Sequence, residues 1–272
     1  MIAITTDSKI ANLPLMKIAS YYKSNVEWYL PLLHNHYEKI YYSKIFNFTH
    51  KVDREDEMIV GGTGYNLKKT LPEDIDKCQP DYSIYPKCNY SLQFFSRGCI
   101  RKCKFCVVPE KEGFIKPVEP MDLNPRGKYI EVLDNNFFAS PGWWHAIGYL
   151  AMMNQPVNFH GVDIRILTES QENELYKLNH YKSIKIAWDN PNEKLEKRLS
   201  KIKKKYKYLC YVLIGYNSTP EQDLYRVEKL RELKIDPFVM PFNKKDIYQK
   251  RFARWVNHKA IFKTVKWSDY AN

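Results

Sequence analysis

The first 65 residues alternate short apolar runs with one pattern of helical spacing. The apolar runs predict four strands, at 2–5, 26–29, 39–42 and 58–60. Between the first two strands, apolar residues recur on one helical face up to about residue 22: Leu13, Leu15, Met16, Ile18 and Ala19. These elements predict a small βαβ domain, a truncated Rossmann-like fold, over residues 1–65.

A glycine-rich segment, Gly61-Gly62-Thr63-Gly64, follows the last of these strands. A dinucleotide-binding loop opens a helix, and no helical pattern follows this segment. We therefore predict a turn here. Residues 66–90 are rich in Pro, Asp, Tyr and Lys and are predicted to form a linker.

From 91 to 245 the pattern repeats strand and then helix. The predicted strands are 92–95, 129–133, 157–160, 184–188, 209–214 and 238–240. Regular alternation of strand and helix favours a parallel sheet or barrel. Six strands are too few for an eightfold barrel, so we predict an α/β core shaped as a partial (β/α)6 TIM-like barrel.

Helical patterns lie between most of these strands. One covers 193–205 and has Asn192 as a candidate N-cap. Another begins at Thr219-Pro220-Glu221-Gln222, which has the spacing of a capping box with proline at the first helical position. Residues 246–272 are predicted to form a C-terminal helical extension.

Charge is concentrated toward the end of the chain. The formal net charge is +12, and residues 191–272 contain 20 Lys and Arg against 9 Asp and Glu. Such a basic segment attracts nucleic acid or another polyanion. The alternative is a solvated, lysine-rich helix face, and charge pattern alone does not separate the two.

The least polar stretch, 137–153, is interrupted by Pro141-Gly142 and is shorter than the ~20 residues that span a bilayer. We interpret it as a buried helix. The first residues show no basic segment followed by a long apolar run, so no secretory signal is predicted. We expect a cytoplasmic protein with no membrane partner, in which clustered cysteines indicate metal binding rather than disulfides.

Three of the six cysteines lie within eight residues, with the spacing Cys99-x3-Cys103-x2-Cys106. Thiolates are the soft ligands that iron–sulfur clusters take, and a short loop can place three of them on one face of a 4Fe–4S cluster. The loop supplies no fourth ligand, which leaves one iron open. Zinc is the alternative metal, and it would need a fourth ligand such as Cys78 or Cys88.

The spacing of these cysteines, with aromatic Phe105 before the last one, resembles the signature of the radical S-adenosylmethionine (SAM) superfamily. The run 97–109 also resembles the branch of that superfamily with an N-terminal cobalamin-binding-like domain. Segments 11–18, 61–65 and 80–82 resemble the opening helix of that domain and its exit into the barrel. The resemblance covers about residues 1–245.

The resemblance implies a barrel of the radical SAM type and two cofactors, a 4Fe–4S cluster and SAM. In that family an electron from the cluster cleaves SAM to a 5′-deoxyadenosyl radical, which abstracts hydrogen from a substrate. The electron comes from an external donor such as flavodoxin or ferredoxin. The cobalamin ligand motif D-x-H-x-x-G is absent from the sequence, and His34 and His36 stand in no such context, so we expect no cobalamin.

The resemblance also implies SAM contacts. Phe105 matches the aromatic residue whose backbone meets the adenine, and no catalytic residue is assigned beyond the cluster ligands. The other implied contacts stand at the ends of predicted barrel strands: Asp134, Asn135, Asn136, Asp163, Arg165, Asp189 and Gly215. Active sites of such barrels lie at this edge of the strands. Each of these residues has a structural alternative as a helix cap, a turn or a strand end.

Three hypotheses follow, in order of preference. The first is a radical SAM enzyme acting on an unidentified substrate. The second is a radical SAM enzyme that modifies tRNA or DNA and uses the basic C-terminal third, beginning with Lys201, Lys203, Lys204, Lys205 and Lys207. The third is a non-enzymatic zinc or iron–sulfur protein.

Overall fold

The computed structural model describes residues 1–271, which form two compact units. The first unit is Met1–Lys128, and the second begins at Tyr129. Both contain helices and parallel strands, which confirms the predicted α/β class. The finer domain bounds of 1–65, 66–90, 91–245 and 246–272 stay a prediction.

A sheet of four parallel strands, in the order β2-β1-β3-β4, is the base of the first unit. Its strands lie where the apolar runs predict them: β1 (Ile2–Thr6), β2 (Val26–Trp28), β3 (Lys39–Ser43) and β4 (Ile59–Gly61). Helix α1 (Leu13–Tyr22) is capped by Asn12, whose side chain accepts a hydrogen bond from the Leu15 N–H. Its apolar face packs on one side of the sheet, in a core that contains Ile4 and Leu15.

The glycine-rich segment after β4 forms the predicted turn. Gly62 has φ +104°, and a Cβ there would lie 2.3 Å from the carbonyl oxygen of Lys44. The Gly64 N–H donates to that same oxygen at 3.0 Å. The glycines therefore serve close backbone packing between this turn and the end of β3.

The remainder of the first unit contains short elements. They are α2 (Glu73–Asp76), β5 (Ser91–Gln93), β6 (Ser96–Arg97), α3 (Val108–Lys111) and β7 (Lys116–Pro117). Strands β6 and β7 pair antiparallel. The segment 66–90 also carries a 3-10 turn in which Tyr82 is buried and its hydroxyl accepts from the Leu92 N–H.

The second unit carries five more strands. They are β8 (Ile130–Val132), β9 (Val157–Phe159), β10 (Ile184–Ala187), β11 (Tyr208–Ile214) and β12 (Asp236–Pro241). Strand β8 pairs with β9, and β10-β11-β12 form a sheet, all parallel. Within residues 1–271 the strands do not close into a barrel.

Seven helices of the second unit are described. They are α4 (Trp143–Met153), α5 (Glu169–Lys177), α6 (Glu196–Lys201), α7 (Pro220–Glu232), α8 (Ile247–Asn257), α9 (Lys259–Thr264) and α10 (Trp267–Ala271). The Thr219 capping box is confirmed, because Thr219 and Gln222 exchange hydrogen bonds at the start of α7. Among the described residues, no helix combines the length and apolar character that crossing a membrane requires.

Two helix predictions were wrong in extent. The helix expected over 193–205 is only Glu196–Lys201, and Asn192 does not cap it. Instead, the Asn190 side chain accepts from the Asn192 N–H, so this proline-containing segment is a turn. The helix expected over 137–153 begins at Trp143, because Pro141 and Gly142 separate it from a preceding 3-10 turn.

Side chains of the second unit's strands alternate between two faces. On β8, β9 and β10 one polar residue is flanked by two apolar residues that are no more than 1% exposed. These polar residues are Glu131 on β8, Asn158 on β9 and Lys185 on β10. Glu131 and Asn158 are register partners, so they lie on the same face.

Candidate functional site

The three clustered cysteines lie on a loop without regular structure, between β6 and α3. At its base Gly98 has φ +85°, and a Cβ there would lie 2.5 Å from the carbonyl oxygen of Phe114. The Cys99 N–H donates to the Gly113 oxygen at 3.2 Å. The loop thus leaves β6 through a position that only glycine fits without strain.

An ion pair stabilises the same base. The Arg97 guanidinium donates to both oxygens of Glu112, at 2.8 and 3.0 Å, and the Gly98 N–H donates to one of them at 2.9 Å. Burial alone would raise the pKa of Glu112, but these hydrogen bonds outweigh it and hold that pKa below its ordinary value. The Arg97 guanidinium also stacks over Phe94, 4.2 Å from the ring centre.

The sulfur-bearing residues are half-buried and have backbone contacts suited to thiolates. The Arg101 N–H points at Cys99 Sγ, with a nitrogen–sulfur distance of 3.3 Å. The Cys106 N–H donates to the Cys103 oxygen at 3.0 Å, which makes Cys103–Cys106 a reverse turn. Phe105 lies inside this turn and is half-buried.

The donor set fits an iron–sulfur cluster in its chemistry. It offers three soft thiolates on one loop and an N–H to sulfur hydrogen bond, a contact known to tune such clusters. The three sulfurs are not preorganised as a metal site. Within residues 1–271, no group of three or more His, Cys, Asp or Glu side chains is arranged to hold a metal ion. Loop residues 98–107 belong to no helix or strand, so gathering the sulfurs disrupts no regular element.

The other cysteines have local roles in the structure. The Cys78 thiol donates to the Asp74 carbonyl at 3.3 Å, and the Cys88 thiol donates to the Tyr90 carbonyl at 3.4 Å. Cys210 is fully buried on β11, and burial raises the pKa of its thiol far above the ordinary value. Cys210 is therefore a neutral core residue.

In the second unit, polar residues that follow β8 and β9 lie together. The Asn136 amide donates to Asp163 at 3.2 Å, and Asp163 accepts two hydrogen bonds from the Arg165 guanidinium, at 2.6 and 3.1 Å. Arg165 also donates to Glu193 at 3.0 Å. Burial opposes the charge of Arg165, but its two carboxylate partners raise its pKa above the ordinary value. Asp134, at the end of β8, is buried.

Close packing of backbone holds these strand ends together. A Cβ on Gly161 would lie 2.2 Å from the Asp134 carbonyl oxygen and 2.6 Å from that of Asn135. The Gly161 carbonyl in turn accepts from the Phe137 N–H at 2.9 Å. The segments after β8 and β9 therefore pack so closely that a side chain at residue 161 would not fit.

Asp189 and Gly215 make contacts of their own. The Asp189 carboxylate accepts from the Leu213 N–H at 3.1 Å, and burial raises the pKa of Asp189 despite this bond and nearby Arg226 and Arg165. Gly215 has φ +71°, and the side chain of Gln249 fills the space that a Cβ would enter. The SAM roles implied for these residues stay predictions.

A partly buried polar cluster was not predicted from the sequence. We call Glu131, Asn158, His160 and Lys185 the strand cluster; its members contact one another from β8, β9, the end of β9 and β10. A signal was present, since each of three successive apolar runs has a polar residue at its centre: Ile130-Glu131-Val132, Val157-Asn158-Phe159 and Ile184-Lys185-Ile186.

No family model matches the chain, and a search of curated proteins finds no match. The likeness to radical SAM enzymes therefore rests on the residues of this chain alone.

Proposed function

We propose that the protein is a radical SAM enzyme whose substrate is unidentified. The observation that carries the proposal is the Cys99-x3-Cys103-x2-Cys106 loop. It begins at Gly98 in a left-handed conformation, contains a reverse turn at Cys103–Cys106, and directs the Arg101 N–H at the Cys99 sulfur. The partial (β/α)6 barrel of the radical SAM type belongs to the same proposal. The parallel strands of the second unit are in keeping with it.

Cys99, Cys103 and Cys106 are the residues that would hold the 4Fe–4S cluster. When bound, the cluster supplies the electron that cleaves SAM and so starts hydrogen abstraction from a substrate. The chain contributes a charged surrounding: Arg101, Lys102 and Lys104 would offset the negative charge of the bound cluster, while Arg97 is paired with Glu112.

The residues that follow β8, β9 and β10 are proposed to bind SAM. Asp163 and Arg165 offer paired carboxylate and guanidinium groups. Asp134, Asn135, Asn136, Asp189, Gly215 and the backbone at Phe105 complete the proposed contacts. An external one-electron donor, such as a flavodoxin or ferredoxin, is part of the proposal, and cobalamin is not.

The test is anaerobic reconstitution of the full chain with iron and sulfide. We expect about four irons per chain, a thiolate-to-iron absorption band, and 5′-deoxyadenosine on addition of SAM and dithionite. Cys103→Ala should lose iron and SAM cleavage, whereas the matched control Cys78→Ala should keep both. Well-loaded protein that makes no 5′-deoxyadenosine refutes the enzyme, and one zinc per chain without sulfide supports the zinc alternative.

A second candidate function, nucleic-acid modification, is favoured by one further observation. A cavity of about 370 Å³ in the second unit is lined by three cationic side chains, those of Arg231, Lys234 and Lys263, and by the largely exposed Tyr206. The carboxylate in its wall, Asp236, is already paired with a lysine. Cations beside an exposed aromatic ring are what single-stranded nucleic acids bind.

This second function is tested by titrating labelled single-stranded RNA at several salt concentrations. We expect the affinity to fall steeply with salt, and Lys234→Ala/Lys263→Ala to reduce both affinity and salt slope. Lys177→Ala, which removes an exposed lysine paired with Glu174 on α5, is the control. Affinity that is insensitive to salt would exclude phosphate contacts.

A further inference from the structure

The strand cluster is unusual because it places charged groups where a sheet normally carries apolar side chains. Lys185 is 8% exposed and Asn158 is 2% exposed, both in the middle of parallel strands. Burying an ammonium costs several kcal/mol, and apolar residues of similar volume commonly give a stabler core. Such a cost is characteristic of functional sites.

The contacts within the cluster form a chain that ends at an accessible histidine. Lys185 Nζ donates to Asn158 Oδ1, and the Asn158 amide donates to Glu131 Oε2 at 2.6 Å. His160 Nε2 bonds the same carboxylate oxygen. The His160 side chain is 41% exposed, so the cluster opens at this residue.

The charges in the cluster are unequally compensated. Burial would raise the pKa of Glu131, but His160, Asn158 and Lys185 together hold it below the ordinary value. Lys185 has one side-chain acceptor for three N–H donors, and burial lowers its pKa to about 8. The carboxylate is therefore satisfied, and the ammonium is the group that a further negative charge would stabilise.

The same face continues as an apolar surface. Lys185 is the register partner of Leu209, and Ala187 is the partner of Tyr211, which pairs with Phe238 on β12. Tyr211 is half-buried and Phe238 is 40% exposed, with their rings 5.6 Å apart at right angles. A ligand whose anionic group reached Lys185 would place its body against these rings.

We propose that the strand cluster binds the carboxylate of a small ligand with an apolar or aromatic body. Lys185 donates to that carboxylate, and His160, which Glu131 holds through Nε2, lies at the accessible edge of the site. A monoanion fits better than a dianionic phosphate, because the Glu131 carboxylate faces the same group. This site rests on contacts among residues of the second unit and not on the cysteine loop of the first unit.

The test uses the full chain without metal and three matched probes: benzoate, the neutral benzamide and the dianionic phenyl phosphate. Protein labelled with 13C at lysine Cε is titrated by NMR, and Lys185→Met identifies the Lys185 signal. We expect benzoate to shift that signal saturably and to raise the pKa of Lys185, whereas benzamide does not. Benzoate affinity should fall as the pH rises above that pKa, because Lys185 then loses its positive charge. The charged groups that act on Lys185 are Glu131, which raises its pKa, and Lys182, which lowers it.

Variants separate binding from structure. Lys185→Met should weaken benzoate at least about tenfold, because a charge-assisted hydrogen bond is lost. Its loss of thermal stability should be small, because His160 and the Asn158 amide still compensate Glu131. Lys182→Met, which removes an exposed neighbour that lies over the Tyr181 ring, should change neither. If SAM competes with benzoate, the site binds the carboxylate of SAM. If SAM does not compete, the site binds the carboxylate of a separate substrate. Both results support the site.

Three results would overturn the proposal. One is a Lys185 signal that benzoate does not shift. Another is tighter binding of phenyl phosphate than of benzoate. The third is a Lys185→Met variant that binds benzoate normally but unfolds much earlier, which would make the cluster a structural network.

Discussion

Arg226 on α7 is the fully buried cation on which the carboxyl ends of β10 and β11 depend. Its guanidinium donates to the carbonyls of Trp188 at 2.7 Å, Asp189 at 3.1 Å and Leu213 at 2.9 Å. It also pairs with Asp223 at 2.6 Å, and neither side chain is more than 1% exposed. We predict that Arg226→Met strongly destabilises the second unit.

The magnitude follows from what the substitution leaves behind. Removing one partner of a buried ion pair costs about 3–5 kcal/mol, since the other charge stays buried without compensation. The three carbonyls lose their donor as well, although a relaxed helix can admit water to some of them. We take about 4 kcal/mol as the expected loss, which for a unit of this size lowers the melting temperature by roughly 10 °C.

The assay is thermal unfolding followed by circular dichroism and by tryptophan fluorescence, to which the buried Trp188 contributes. The double variant Asp223→Leu/Arg226→Met should recover part of the loss, because no unpaired carboxylate remains, and the cycle should give a coupling of about 2 kcal/mol. Lys229→Met, which breaks an exposed pair with Glu232 on the same helix, should cost less than about 0.5 kcal/mol. A melting temperature of Arg226→Met within about 2 °C of the parent would refute the reasoning.

Other predictions concern the two candidate sites. Asp189→Asn should stabilise the protein at neutral pH, because burial raises the pKa of Asp189 in the folded state. The gain in stability should vanish below the ordinary pKa of 3.8, where the carboxyl is neutral in both the folded and the unfolded state. Urea titrations at several pH values would measure it. Glu112→Gln should lower the free energy of unfolding near pH 7, because the pKa of Glu112 is lowered in the folded state. Well below the ordinary pKa of 4.5 the substitution should change nothing, and an equal loss at all pH values would contradict this. Gly98→Ala should cost about 1–3 kcal/mol through backbone strain and reduce iron loading, measured by melting and by iron content; a variant that loads normally would show that the loop tolerates a Cβ.

Hydrophobic periodicity predicted the strands well because each is short, apolar and bounded by turns. The strands of the first unit, β1 to β4, and those of the second all lie at their predicted positions. The helix over 193–205 was overextended because its lysines fit a helical surface as readily as a turn, and a 3-10 turn at Lys205–Lys207 precedes β11 instead. Propensity alone could not decide where that helix ends.

The candidate sites were likewise only partly predictable from the sequence. Spacing located Cys99, Cys103 and Cys106 at once, but not the hydrogen bond from Arg101 to the Cys99 sulfur or the support of Glu112, which depend on how the chain folds back. The contact of Asn136 with Asp163 follows from parallel strands that end at one edge. The occupation of the space beside Gly215 by Gln249 is a tertiary contact across 34 residues, and no local pattern predicts it.

The rule of alternation that located the strands also explains the strand cluster. Where a polar residue stands between two apolar ones on a strand, its side chain points to the opposite face, so that face carries a polar group while the other face packs as apolar core. One such strand is unremarkable, but Glu131, Asn158 and Lys185 repeat the pattern on three strands in succession. The hydrogen bonds from Asn158 to Glu131 and from Lys185 to Asn158 join the three side chains in the structure. Polar residues at the centres of consecutive apolar runs therefore predict a polar cluster before any contact is known.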